Sequence, residues 1–561
     1  MSGTISSRLW LFGVMAWLPL LVSSATAKAP ASSGSTVLPP QIAEIDRSIA
    51  QNWEDFEIRP SPQADDSLWC RRVFLDILGR IPSYEELQAF LDERGQDKYR
   101  NLVRKLLHDD EYTEQYARNW ATLWTNTLIG RSGGTERRSL TNRDGMQKYL
   151  RDSFAVNKPY DQMVYELITA TGSTKPGTDN FNGATNFLVD KVNEDNAVLA
   201  TSSTSRIFLG LQVQCTQCHN HPFNEWKQQK FWEFNAFFRQ TRGLRRFIDG
   251  TNDIDHAELV DEDYAGEVND PNDALIFYEL RNGLTRVAYP VFIDGTEVAP
   301  SGYVSDVNRR QELARLMMSS PYLDKMYVNR MWSHFLGYGF TKPIDDLGEH
   351  NPVSHPQLLD YLSDEIRQHS YDPKQLIEWI TLSKAYRLSA QITPANEIDN
   401  PALGEMPKFS HFYLRQMRAE ELYQSLITAS GAAGKGSYSQ QEQERRRWLS
   451  QFVVAFGTDE GGEATTFNGS IPQALMLFNG DLIKRAVDTG AGTFVNRIAS
   501  SRKSLNDKVH HLFQTGMARR ATRDELMIAK KLLFARSGDE EAMLQDLWWA
   551  ILNSNEFIMQ H

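Results

Sequence analysis

The chain has 561 residues, room for roughly two to four domains of ordinary size. A hydrophobic fraction of 41% and a charged fraction of 24% exclude a largely disordered chain and a collagen-like fibre. With 60 Lys and Arg against 72 Asp and Glu, the net charge is −12. That balance offers no overall field to a phosphate backbone, so no nucleic-acid partner is expected. Three cysteines are too few for a disulfide framework but enough for one special site.

Residues 1–27 read as an address. Arg8 is their only charge, a nonpolar run from Leu9 to Val22 follows, and Ala25-Thr26-Ala27 supplies small residues for cleavage, the three parts of a signal peptide. The run is short for a membrane span and broken by Pro19. The mature protein is expected to be exported, periplasmic or secreted, with no integral membrane span after cleavage.

Residues 28–40 are small, polar and Pro-rich, a flexible linker. The pattern over 41–242 is helical. Ser83 and Glu86 fit a capping box ahead of the apolar stripe Leu87, Phe90 and Leu91. Pro159 opens a helix over 158–169, and residues 192–214 read as one helix running into a cysteine pair. Cys70, within an apolar stretch, is expected to be a buried thiol. Residues 243–305 form an acidic connector with a small β element: 286–293 is β-like, Asp294-Gly295 is a hairpin signal, and 296–299 could return. Residues 306–561 are helical again. His355-Pro356 and Asp372-Pro373 each open a helix, 431–470 reads as loops, Thr522 and Glu525 form a second capping box, and 544–559 is an apolar helix. The expected fold class is therefore mainly α, with two helical domains joined by the connector. GRIPSYEEL at 79–87 faintly echoes ARRATRDEL at 518–526, for which two independent helix starts suffice.

The chemistry concentrates in Cys215-Thr216-Gln217-Cys218-His219. C-x-x-C-H is the attachment motif of c-type haem: two thiols bond the porphyrin edge and the next imidazole ligates the iron. With three cysteines and 12 histidines, chance produces this pattern on the order of 10⁻⁴ of the time. Three other readings stand beside it: a thiol redox pair, a zinc or non-haem iron site made of Cys215, Cys218, His219 and His221, and a structural pair with no cofactor. Phe223, Trp226, Phe231, Trp232, Phe234, Phe237 and Phe238 follow the motif. Their helical spacing reads first as core and second as a porphyrin wall.

QCTQCHNHPFNEW at 214–226 and RRVFLDILGRIPSYEEL at 71–87 resemble the planctomycete-type cytochrome-c-like domain. RRQELARLM at 309–317, VNRMWSHFLGYGF at 328–340, DDLGEHNPVSHPQLLDYL at 345–362 and the ending LWWAILNSNEFIMQH at 547–561 are similar to its usual C-terminal companion domain. The resemblance covers nearly the whole mature chain, yet both domains are labelled as of unknown function. It implies a companion exported protein as redox or assembly partner. Many such relatives carry a separate N-terminal cytochrome-c module; this chain has no second C-x-x-C-H, which argues against a multihaem wire.

An electron-transfer haem usually has a sixth ligand, His or Met. His334 is the first choice, at a position where the companion domain tends to place histidine. Asp345, Asp346, Glu349, His350 and His355 form a second polar cluster able to bind a cation or perform acid–base work, or to serve as a solvated loop and helix cap. The expected function is that of an exported c-type haem protein in electron transfer, with haem c at Cys215, Cys218 and His219. The alternatives are a secreted interaction or polymer-binding protein whose cysteine pair is structural or metal-binding, and a metal-assisted enzyme using the second cluster.

Overall fold

A computed structural model describes residues 38–431 except 96, 137 and 194, then 438–456 and 480–561. The segment read as a signal peptide, residues 1–27, and residues 28–37 of the expected linker lie outside the described residues. The last linker residue, Pro40, is the first residue of the helix Pro40–Asp55, where a missing N–H costs nothing. Helices dominate the chain and the strands are few and short, so the mainly α class holds. No helix among the described residues is long and apolar enough to cross a membrane.

Local signals set many of the boundaries. Ser83 Oγ accepts from the Glu86 amide at 3.1 Å while Glu86 accepts from the Ser83 amide at 2.7 Å, which starts Tyr84–Asp92. Asp372 accepts from the Lys374 and Gln375 amides at the start of Pro373–Thr381. Cys70 is fully buried, and burial pushes its thiol pKa up. Two expectations are corrected. The helix expected over 192–214 is Val198–Leu209; it stops because Gly210 turns left-handed, φ 64, a conformation that costs glycine little. Within the stretch read as loops, Tyr438–Phe456 is a helix, since its Gln, Glu and Arg are good helix formers; residues 432–437 and 457–470 lie outside the described residues.

The connector carries more sheet than expected. Thr241–Phe247 pairs antiparallel with Ile254–Asp261, which also pairs with Gly172–Ser173. Ile276–Glu279 pairs with Thr285–Ala288, with Phe277 opposite Val287. The Asp294-Gly295 turn is present: the Phe292 amide donates to the Thr296 carbonyl at 2.8 Å.

Residues Leu38–His561 form one compact unit. Its main apolar cluster draws on residues from Ile42 to Ala518, and a second gathers the C-terminal helices around Leu75 and Ile81 of the first half. Two arginine pairs cross between the halves. Arg71, on Asp66–Leu78, donates to the carbonyls of Gly516 and Phe557 at 2.6 and 2.7 Å. Arg72 donates to those of Tyr386 and Leu388 and lies 3.5 Å from the Phe412 ring centroid. In return Arg309, opening Arg309–Met318, donates to Ala236, Ala274 and Pro300 carbonyls, and Arg310 to those of Ile168 and Ala170. Carbonyl oxygens and, for Arg310, the Asp261 carboxylate take several of the N–H donors of these buried guanidinium groups, which offsets the cost of burying them.

Candidate functional site

The motif lies just beyond the left-handed Gly210. Gln214–Gln217 is a single 3-10 turn capped by Cys218. At three residues per turn, side chains at i and i+3 eclipse, so Cys215 and Cys218 share one edge. Thr216 between them is fully buried and donates to the Val213 carbonyl at 2.6 Å, which anchors the turn while both free thiols stay exposed. Partial burial raises the Cys215 thiol pKa.

His219 Nδ1 lies 2.7 Å from the Asn220 carbonyl oxygen. A carbonyl only accepts, so Nδ1 carries the proton and Nε2 keeps its lone pair, the tautomer metal-ligating histidines commonly use. The loop then closes on itself. The His221 amide donates to the Trp226 carbonyl at 2.7 Å, the Trp226 amide to Asn224 Oδ1 at 2.9 Å and the Gln228 amide to Asn220 Oδ1 at 3.0 Å. Gln228 Nε2 donates to the carbonyls of Gln217 and of Glu279 in the connector hairpin, at 3.1 and 2.8 Å. Trp232 Nε1 also donates to Gln217.

The aromatic run divides. Phe231, Phe234, Phe237 and Phe238 are buried core, as their spacing suggested first, and form no wall beside the thiols. Phe223, 78% exposed, and the half-buried Trp226 and Trp232 are the other aromatics of the run, Trp232 being bonded to Gln217 of the motif.

His334 belongs to another network. On Pro321–Leu336, its Nε2 donates to the Asp76 carbonyl at 3.1 Å and its ring packs 5.0 Å from Trp120. Burial together with Arg418 and Arg415 holds its pKa well below the ordinary range, so it is neutral and its Nε2 lone pair is not available in this arrangement. Asp76, fully buried, accepts from Arg415 and, at 2.6 Å, from Tyr386.

Two clusters far apart in sequence meet at the motif. The rings of His221 and His350 lie 5.1 Å apart, tilted by 44°. His350 Nε2 is 3.0 Å from Asp346 Oδ2, whose other oxygen accepts from the Gly348 amide. His350 Nδ1 faces Asn224 Nδ2 at 3.4 Å. Burial, with His350 next in weight, lowers the His221 pKa against the pull of Asp346. Asp345, 5% exposed, accepts from Arg206 at 2.9 Å and from Gln212 at 2.8 Å. Glu349 is exposed. His355 stays apart, packed on Phe340 and Phe409 and bonded to Ser354 at 3.0 Å. Among the described residues, no three or more His, Cys, Asp and Glu gather so as to hold a metal ion.

Sequence reasoning missed Arg206, Gly210, Gln212, Asn220 and Asn224. Gly210 had a signal, a glycine at the end of an apolar helical run; the amide side chains had none.

Residues 44–243 match the family model described as PSCyt2, Protein of unknown function (DUF1549). Residues 309–466 match PSD1, Protein of unknown function (DUF1553). No curated protein and no solved structure matches the chain.

Proposed function

The chain belongs to the family that joins a DUF1549 domain to a DUF1553 domain, and from that premise we propose an exported protein carrying one c-type haem, in electron transfer with another exported protein. The observation that carries this reading is the motif's posture: two exposed thiols on one edge of a turn, followed by an imidazole whose Nδ1–H is tied to Asn220.

The donor set fits the group. Cys215 and Cys218 would form the thioether links and His219 would ligate through Nε2. Such a haem supplies a one-electron centre. Zinc instead needs about four donors converging on one point, whereas covalent haem needs from the chain two reachable thiols and one imidazole. The apolar surroundings fit less closely, since four of the aromatics expected to wall a porphyrin are spent in the core. The chain's own residues support this: Thr216 pins the turn, the Asn220 carbonyl fixes the His219 tautomer, and exposure leaves both thiols accessible for the thioether links. Export rests on residues 1–27.

The test is the absorption spectrum of the full chain, exported from a host that attaches c-type haem. A Soret band that disappears in the Cys215→Ala/Cys218→Ala variant is expected. A colourless native protein would refute the reading.

A further inference from the structure

We infer that Asp345 and His350 of the second half are positioning residues for the C-x-x-C-H loop, so that the attachment site is built by both domains. For its cofactor this rests on the reading above; the clamp itself rests on contacts.

Segment 345–350 meets the motif at both of its flanks. Upstream, the Leu347 amide donates to the Gly210 carbonyl at 2.7 Å. Gly210 leaves no room for a side chain: a Cβ would lie 2.8 Å from Leu347 Cγ and 2.9 Å from Met326 Sδ. Asp345 takes one bond from Arg206, on the last turn of the preceding helix, and another from Gln212, three residues before Cys215. Both bonds are charge-assisted and the carboxylate is buried, the setting in which such bonds are strongest. The Asp345 charge also favours the ionised form of the Arg330 guanidinium, on Pro321–Leu336, against the burial that lowers its pKa.

Downstream, Asn224 bridges the loop and the 345–350 segment. Its Oδ1 closes the loop on the Trp226 amide, and its Nδ2 turns to His350 Nδ1. His350 can accept there because its Nε2–H is spent on Asp346. Asp346 is held in turn by the Gly348 amide, and its carbonyl by Asn351 at 2.7 Å. Gln228 grips the opposite side of the loop through Gln217 and Glu279. A C-x-x-C-H turn needs such support, because two thiols and an imidazole must all meet one rigid ligand.

Amide hydrogen exchange on the full chain without haem tests this. In Asp345→Ala and in His350→Ala, the amides of His221, Trp226 and Gln228 should exchange about tenfold faster than in the native chain, with remote helices unchanged. Asp345→Asn, which keeps an acceptor for Gln212, and His350→Gln, which keeps one for Asn224, should restore most of the protection. In the haem-loaded chain His350→Ala should shift the midpoint potential, and His350→Gln should return it. Native exchange rates in both alanine variants would overturn the clamp whatever the haem content. His350 is exposed, so its variants decide the matter even where Asp345→Ala fails to fold. A native chain that takes no haem would instead overturn the cofactor reading and leave the exchange result standing.

Discussion

Arg310 and Asp261 form a buried ion pair, 2.7 Å between Nη2 and Oδ1, with side chains 1% and 8% exposed. Arg310 stands at the start of a second-half helix and Asp261 ends a connector strand. The same guanidinium reaches the Ile168 and Ala170 carbonyls. One residue thus joins three segments. Arg310→Ala should destabilise the chain by about 3–5 kcal/mol, because it leaves a buried carboxylate and two carbonyls short of a donor. Arg310→Lys should recover little, since an ammonium cannot reproduce the fork. Urea unfolding of the three proteins measures both.

Acid should weaken the fold through its buried histidines. His355, 5% exposed, has its pKa pushed down to about 4 by burial, with Asp399 raising it and Lys408 lowering it. In the unfolded chain it titrates near 6.5. Between those values the unfolded state binds the proton and the folded state does not, so stability falls as pH drops from 6.5 to 4 and then levels. This one group accounts for about 3 kcal/mol across that window. His355→Phe should flatten the pH dependence of the unfolding free energy by about that amount; an unchanged slope would contradict the assignment.

Gly210→Ala should cost about 1–3 kcal/mol, from left-handed strain and the clash with Leu347. Thermal unfolding reads the loss. The same variant should loosen the loop that follows, seen as faster exchange at His221.

Legibility in the sequence followed the range of the forces involved. Short-range rules worked. Ser83 with Glu86 and Thr522 with Glu525 both form capping boxes. The echo between them goes further than the sequence suggested. Arg80 grips Glu86 with two bonds of 2.7 and 2.8 Å, and Arg519 grips Glu525 with two of 2.9 and 2.8 Å. Each follows a left-handed residue, Gly79 or Ala518, that ends a helix of 13 residues. The strands Thr241–Phe247 and Ile254–Asp261 were hidden because their acidic and basic side chains pair across the sheet, as Arg246 does with Glu258, so polarity masked the alternation. At the site, each cluster was visible alone. Their union was not, because the approach of His350 to His221 depends on tertiary packing across 129 residues of chain, a separation no local pattern encodes.

The central claim is covalent haem at Cys215 and Cys218, and the intact mass of the exported chain under denaturing conditions tests it most directly. The account predicts a mature chain heavier by one haem, and an unadorned polypeptide once both cysteines are alanine. A native chain whose mass is that of the polypeptide alone would contradict it.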